Sequence, residues 1–496
     1  QGFGTAVRNA LFRQMIRFSH TEIDRFGTPS LITRLTNDVN QLQYAVAMLI
    51  RLVVRAPFLA IGAMVMALSL DLQLSIVLLI AMPLIVLVLY LVMTRSIPFY
   101  RVIQKKLDRI SLVTRENLSG ARVIRAFSKQ KQERGRFAEA TEDLARTSIR
   151  VGKISALLNP VTYVIMNLGI AAIIWFGGYR VEEGALTQGE IIAFVNYMTQ
   201  ILLALVVVAN LVVTFTKAAA SAGRVNEVFE TEPSVQDTVE CEAQAVPGAP
   251  KIDFQDVTFR YQSAEEAELA NLSFTVEAGQ TVGIIGGTGA GKSTLVNLIP
   301  RFYDVSEGRI LVDGVDVRKY PLRQLRTKIG MVPQRAVLFT GTIEKNMRWA
   351  KRDASEKEIR RALSIAQAAE FVDKLPDGLQ TQVEQEGKNF SGGQRQRLTI
   401  ARALVGNPEI LVLDDSSSAL DFATDASLRR AIQKETKGMT VLIVSQRAST
   451  IRHADQILVL DDGRLAGIGR HEELMETCEV YREICLSQLS EEEAGR

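Results

Sequence analysis

The chain is 496 residues long, 47% of them hydrophobic, with a formal net charge of +3. It is too long for one ordinary hydrophobic core, and so small a charge gives no sign of the dense basic face that binds nucleic acid. Cys241, Cys478 and Cys485 form no CxxC spacing and the three histidines are scattered, which argues against a disulfide framework or a zinc site and suits reducing cytoplasm.

Residues 1–20 read as a helix of interleaved basic and apolar residues, without the segments of an export signal. Gly27 and Pro29 break it within DRFGTPSLITRLTND, residues 24–38, and Ser30 stands where it can cap the next helix. An apolar stretch covers 51–70; Arg51 and Arg55 near its start can snorkel toward headgroups. Asp71 marks a very short turn. Residues 72–94, 154–179 and 191–216 carry no charge, and each is longer than the roughly 20 residues a helix needs to cross a bilayer. Pro57, Pro83 and Pro160 are tolerable there, because neighbouring groups satisfy the freed carbonyls.

Residues 95–153 hold fifteen Lys or Arg against six Asp or Glu, whereas 180–186 hold one Arg and two Glu. The positive-inside rule puts the first loop in the cytoplasm and the second outside. The inner loop contains long runs poor in Gly and Pro. It is expected to be helix continuing far below the membrane, bent near Ser119 and Gly120. Residues 121–130 would be its lowest point, placed to dock on a soluble domain, with a second such turn near 27–33. The expected organisation is an α-helical transmembrane domain over 1–230, a linker over 231–250 and a soluble domain over 251–496.

In the soluble part KIDFQDVTFRY alternates as a strand. The strand TVGII, 281–285, is followed by Gly286, Gly287, Thr288, Gly289, Ala290, Gly291, Lys292, Ser293 and Thr294, the spacing of a phosphate loop. Glycines let backbone N–H groups curve around phosphate without Cβ clashes. The following helix points its N-terminus at the anion. Lys292 supplies charge to the outer phosphates and Ser293 a hydroxyl to Mg²⁺. A second strand, Ile410–Asp414, ends in a carboxylate for Mg²⁺, followed by Asp415; a third, 441–445, ends beside Gln446. These strands imply an α/β domain with a mostly parallel sheet and ligand at its carboxyl ends.

The chain resembles the exporters of the ATP-binding cassette superfamily. The phosphate loop at 286–294, Gln334 in VPQR, SGGQ at 391–394, ILVLDD at 410–415, SALD at 418–421 and Gln446 carry the resemblance in the soluble part. RLTNDV at 34–39 and ENLSGARVIRAF at 116–127 carry it in the membrane part. It implies ATP and Mg²⁺ as cofactors, with Ser293, Gln334 and Asp414 about the metal. Tyr261 would stack on adenine, and Gln334 would also reach the attacking water. Ser391, Gly392, Gly393 and Gln394 would close over ATP held by a partner subunit, and Asp421 would lie at the dimer seam.

Four departures from the family stand out. Asp415 stands where the family usually has Glu, the catalytic base, and is one methylene shorter. Gln446 stands where it usually has His; an amide donates a hydrogen bond but cannot become cationic near neutral pH. Glu384, Gln385 and Glu386 replace the usual Gly-Glu-Arg of a cross-talk loop, while Phe390 replaces Leu before SGGQ. With the phosphate loop and Asp414 intact, the first two suggest a degenerate ATP site and a heterodimer whose other subunit supplies Glu and His. Such exporters have six spans; four are visible, so the chain is expected to lack the first and most of the second.

The expected activity is ATP-driven export of amphipathic or hydrophobic cargo, drug-like or lipid, across the plasma membrane. Asn159, Asn167, Asn196, Gln200 and Asn210 are the sparse polar groups of the spans, and can instead bond helix to helix. Two alternatives are a slow homodimeric exporter and an ATP-gated channel or regulator.

Overall fold

The computed structural model describes residues 1–237, 239, 241–262, 264–416 and 419–488. Ser418, the first residue of SALD, lies outside them. The chain divides into two compact units, one of residues 1–13 and 32–230, the other of residues 14–31 and 231–496.

The first unit is helical. After α1 (Gly2–Arg17), α2 (His20–Phe26) and α3 (Thr28–Thr33), a π-helical turn (Arg34–Asp38) leads into α4 (Val39–Met48). A second π-helical turn (Leu49–Val53) precedes α5 (Arg55–Leu70). Then come α6 (Leu72–Ser119), α7 (Ala121–Ala126), α8 (Gln130–Ala156), α9 (Leu158–Glu182) and α10 (Gln188–Glu230). Among the described residues, four helical stretches, Thr28–Leu70, Leu72–Ser119, Gln130–Glu182 and Gln188–Glu230, are long and apolar enough to cross a membrane. The uncharged windows lie inside these longer helices. The 48 residues of α6 extend for about 72 Å, more than twice the roughly 30 Å of hydrocarbon. Its polar end is tied to α8 by Lys106 with Asp143 at 2.7 Å and by Arg136 with Glu116 at 2.8 Å. The bend expected near Gly120 separates α6 from α7.

Packing in this unit follows the rules of helices in lipid. Ala56, Ala60, Ala63 and Ala67 form the buried stripe of α5, where small side chains let backbones approach closely. Leu74, Leu78, Ile173, Phe194 and Met198 are buried with Ala63 and Ala67. Phe58, Ile61, Leu72, Ile76 and Trp175 are exposed, as an apolar surface meeting acyl chains requires.

Asp71 joins α5 to α6 and caps α6 by accepting from the Leu74 N–H at 2.7 Å. Its other oxygen accepts from Arg180 Nε at 3.1 Å and Nη2 at 2.6 Å. Arg180 also pairs with Glu183 at 3.0 Å. One carboxylate therefore fastens the α5–α6 turn to the end of α9.

The sequence places a turn near 27–33 with Ser30 as a cap; the structure differs. Ser19 begins α2 in a capping box with Glu22, and Gly27 ends it at φ 73°. Thr28 and Pro29 already open α3, so Ser30 is inside that helix. Proline is favoured in a first turn, where its missing N–H costs nothing. Residues 14–31 cluster with the second unit, and α2 makes polar contacts there. Tyr303 donates its hydroxyl to Asp24 at 2.7 Å, the Ser234 N–H donates to Glu22 at 3.1 Å, and the His20 ring stacks on Phe302 at 4.5 Å.

The second unit is α/β. Its strands are β1 (Ile252–Phe259), β2 (Leu269–Val276), β3 (Thr281–Gly286), β4 (Glu307–Val312), β5 (Val315–Asp316) and β6 (Ile329–Val332). They continue with β7 (Gly341–Thr342), β8 (Gln382–Val383), β9 (Ile410–Asp414), β10 (Thr440–Val444), β11 (Gln456–Asp461) and β12 (Arg464–Gly469). One sheet has the order β2-β1-β4-β5 and the main sheet β12-β11-β3-β10-β9-β6, in which β11, β3, β10, β9 and β6 are parallel. Strands β3, β9 and β10 are buried nearly throughout, as a parallel sheet covered on both faces demands. The sheet thus places Gly286, Asp414 and Val444 at one common edge.

Asp71→Ala removes the α6 cap and leaves Arg180 without its buried partner. Loss of the cap should cost about 1 kcal/mol, read as a lowered thermal unfolding midpoint of the purified protein in lipid.

Candidate functional site

The site grows from the carboxyl ends of β3, β9 and β10. Gly286 closes β3 directly opposite Leu460 of β11; a Cβ on Gly286 would stand 2.1 Å from the Leu460 carbonyl oxygen. Only glycine lets the chain turn there. Gly289 and Gly291 both have φ 84°, and the exposed tip at Gly287 and Gly289 has open space where a Cβ would be. Gly291 caps α11 (Lys292–Leu298). The concave loop and the helix start leave N–H groups facing outward, an arrangement that binds anions.

Lys292 is buried and donates to the carbonyls of Gly286 at 3.0 Å and Gly287 at 2.5 Å. Burial lowers its pKa, while the nearby Asp415 and Asp414 carboxylates oppose that shift. Ser293 donates its hydroxyl to Asp414 Oδ1 at 2.9 Å, bringing together two of the three residues expected about Mg²⁺. This donor set fits the ion, which binds proteins through one or two oxygens and fills its octahedron with phosphate and water. Burial raises the pKa of Asp414 and of Asp415; for Asp414 the Ser293 hydrogen bond opposes it.

Asp415 sits at φ 42°, with its N–H donating to the Val444 carbonyl at 3.0 Å. A left-handed aspartate is uncommon, and here it turns the side chain out of the strand line toward Gln334. Gln334 Nε2 donates to Asp415 Oδ2 at 3.3 Å, a contact that the sequence reading did not name. Arg335, next in the chain, pairs with Glu386 at 3.3 Å. The altered cross-talk loop therefore touches the neighbour of Gln334, through a pair too exposed to contribute much stability.

Tyr261 is half-buried. Its hydroxyl lies 3.0 Å from Thr294 Oγ1, and its ring meets Phe259 and Tyr303 edge-on. It lines a cavity of about 570 Å³ with Arg260, Gln262, Tyr303, Thr21 and Asp24. The Tyr261 ring thus lines a cavity that opens beside α2, which the sequence did not reveal. A second cavity of about 570 Å³ lies at the other end of β3, among Thr281, Arg429, Thr436 and His453, apart from this chemistry.

Ser391 caps the helix Gly392–Val405 in a capping box with Gln394. Ser391 N–H donates to Gln394 Oε1 at 2.9 Å and the Gln394 N–H to Ser391 Oγ at 3.3 Å. A Cβ on Gly393 would come 3.1 Å from the Ala419 carbonyl oxygen. Asp421 caps the helix Phe422–Glu435 through the Thr424 N–H at 2.9 Å and is exposed. These residues form a surface separate from the phosphate loop's own hydrogen bonds.

Gln446 is exposed, and the support of its loop was missed from the sequence. Gln488, in the helix Glu479–Gln488, donates Nε2 to the Gln446 carbonyl at 2.7 Å and accepts from the Ala448 N–H at 2.9 Å. The Arg447 guanidinium lies 5.1 Å from the Phe422 ring centroid. A lone glutamine some forty positions away carries no motif, so only the folded chain shows it holding the backbone at Gln446 and Ala448.

Residues 1–205 match the family model of the ABC transporter transmembrane region, and residues 269–418 that of the ABC transporter. An uncharacterized ABC transporter ATP-binding protein of Mycobacterium tuberculosis is 40% identical over 492 residues, covering 98% of this chain and 84% of its own length. An ATP-dependent lipid A-core flippase of Chromobacterium violaceum is 34% identical over 488 residues, 98% of this chain and 83% of its own. The solved structure of a bacterial Atm1-family ABC exporter with ATP bound superposes with a TM-score of 0.80 at 28% identity, over 98% of this chain and 85% of that one. The chain belongs to the ABC transporter family, as an exporter with its membrane region fused to its ATP-binding domain.

Gly286→Ala forces β3 and β11 apart at the mouth of the site. It should destabilise the protein by ~1–3 kcal/mol, visible as a lowered thermal midpoint, whereas Gly287→Ala, with open space around it, should leave the midpoint unchanged.

Proposed function

We propose that this chain is one subunit of a heterodimeric, ATP-driven exporter in the plasma membrane, owning a degenerate ATP site that holds Mg-ATP and hydrolyses it poorly. The observation that carries the reading is the pair Asp415 and Gln446 beside an otherwise complete phosphate loop. The nucleotide-binding domain works on the cytoplasmic side. The loop N–H groups of 287–294 and Lys292 hold the phosphates, Ser293 and Asp414 hold Mg²⁺, and Tyr261 supports the adenine. Bound Mg²⁺ neutralises charge on the outer phosphates.

Gln334 orients a water that Asp415 is too short to approach well. A carboxylate displaced by about 1 Å costs on the order of a hundredfold in rate. Gln446 can donate a hydrogen bond to a phosphate oxygen but cannot carry the positive charge that a histidine supplies. Ser391, Gly392, Gly393 and Gln394 lie on an exposed capped helix start, suited to a γ-phosphate presented by the other subunit. Asp421, exposed beside them, belongs to the seam. The competent site then uses this chain's SGGQ with a Glu and a His from the partner.

Amphipathic or hydrophobic cargo, drug-like or lipid, is the substrate class. The apolar spans and the lipid A-core flippase relative support it. Asn159, Asn167, Asn196, Gln200 and Asn210 are the candidate polar contacts to cargo. Transport follows from different affinities of the inward and outward states for that cargo.

Lys292→Ala should weaken Mg-ATP binding to this chain by tenfold or more, measured by equilibrium dialysis of the intact assembly. Asp415→Ala should leave most of the ATPase of the two-subunit protein, while removing the partner's catalytic Glu abolishes nearly all of it. Loss of half or more of the turnover in Asp415→Ala alone overturns the degenerate-site reading. A stable, ATPase-active dimer of this polypeptide alone favours a slow homodimer instead.

A further inference from the structure

The motif RLTNDV takes no part in the ATP chemistry, yet it contains the most enclosed carboxylate of the helical unit's polar clusters. Asp38 is 0% exposed. One of its oxygens accepts from Ser221 Oγ at 3.0 Å and from Arg224 Nη2 at 2.5 Å, and the other from Arg224 Nε at 2.9 Å. One turn earlier, Arg34 donates Nη1 to the Arg224 backbone carbonyl at 2.6 Å, and its Nη2 pairs with Glu227 at 2.8 Å. Arg34 and Asp38 bound a π-helical turn, a wide turn that often marks a functional site.

Two side chains of one segment are thus interlocked with three of α10, Ser221, Arg224 and Glu227. A buried ion pair contributes little net stability over a well-packed apolar contact. Its best-attested use is to fix register between elements; here Asp38 is enclosed and Arg224 half exposed, and breaking the pair leaves Asp38 the Ser221 hydroxyl but no neutralising guanidinium.

The position of the clamp in the chain gives that register a consequence. The backbone passes from the ATP-binding unit into the helical unit at Ile32, and returns after Glu230. Asp38 and Arg224 each lie within about two helical turns of those crossings. A third crossing follows Arg13 in α1; the clamp joins the two crossings that lead directly into α4 and α10.

We infer that Asp38 is a positioning residue for transport, holding α4 and α10 as one lever so that nucleotide-driven movement reaches both together. The inference rests on the ATP-driven reading above. Its direct partner is Arg224; Arg34 and Glu227 fix the same register a turn away.

The test is hydrogen exchange on the full two-subunit protein in lipid nanodiscs, with and without Mg-ATP, beside steady-state ATPase. In the native protein, Mg-ATP should change exchange at 286–298 and, together, at 39–48 and 214–224. In Asp38→Asn the change at 286–298 and the KM for ATP should stay within twofold of native. The nucleotide-dependent change at 39–48 should fall to less than half and no longer follow 214–224. Asp38→Asn combined with Arg224→Gln should be no worse than Asp38→Asn, since both remove one interaction. Arg224→Lys, which keeps the charge, should retain at least half of the response.

A role in stability alone would raise exchange at 39–48 equally with and without nucleotide and leave the difference intact. That result overturns the inference, as does a native protein whose 286–298 responds while 39–48 does not. No response at 286–298 in the native protein sinks the ATP-driven reading itself. Should Asp38→Asn fail to accumulate, Ser221→Ala removes one of the three bonds and is read the same way: a partial loss of the response supports the clamp, and an unchanged response overturns it.

Discussion

The ammonium of Lys292 sits inside a turn of glycines, bonded to two carbonyls of the same loop, and the architecture of the ATP-binding unit serves that placement. A lysine so enclosed is stable only where oxygens surround it, and where the backbone can curve without Cβ atoms. Gly286 meets the first need for space by lying flat against the Leu460 carbonyl. The parallel register of β3, β9 and β10 meets the second need for charge, since it delivers Asp414 and Asp415 to the same edge. The Ser293–Asp414 bond and the Gln334–Asp415 bond then follow from strand order.

The helical unit solves the opposite problem, with apolar surroundings and few places for charge. Alanines on α5 pack closely, and large apolar side chains face outward. Its two most buried carboxylates, Asp38 and Asp71, each take an arginine from a distant helix. Asp71 fastens the ends of α5, α6 and α9, and Asp38 fastens the segment before α4 to α10. Each carboxylate is enclosed while its arginine stays partly exposed, so such pairs serve to fix register between elements.

The phosphate loop, the carboxylate closing β9 and the uncharged spans were legible in the sequence because each is a local pattern. Spacing of Gly and Lys, alternation of strand residues and length of an apolar run all act over neighbouring positions. The bend at Gly120 was legible for the same reason. Ser30 was misread because the cap depends on which residue first adopts helical geometry, and Gly27 with Pro29 moved that start forward. Membership of the ABC transporter family was also readable, since its motifs keep their order along the chain.

Tertiary structure alone decided what lies across long separations. Nothing in the sequence ties Gln488 to Gln446, Tyr303 to Asp24, or Asp38 to Arg224. A hydrogen bond between residues far apart in the chain leaves no periodicity, because its geometry is set by the packing of whole elements. The sequence by itself determined which chemical groups exist and which short segments bend around phosphate or span lipid. The fold determined which of those groups touch, and so which carboxylates are held by a neighbour and which part of the chain, residues 14–31, packs with the nucleotide unit.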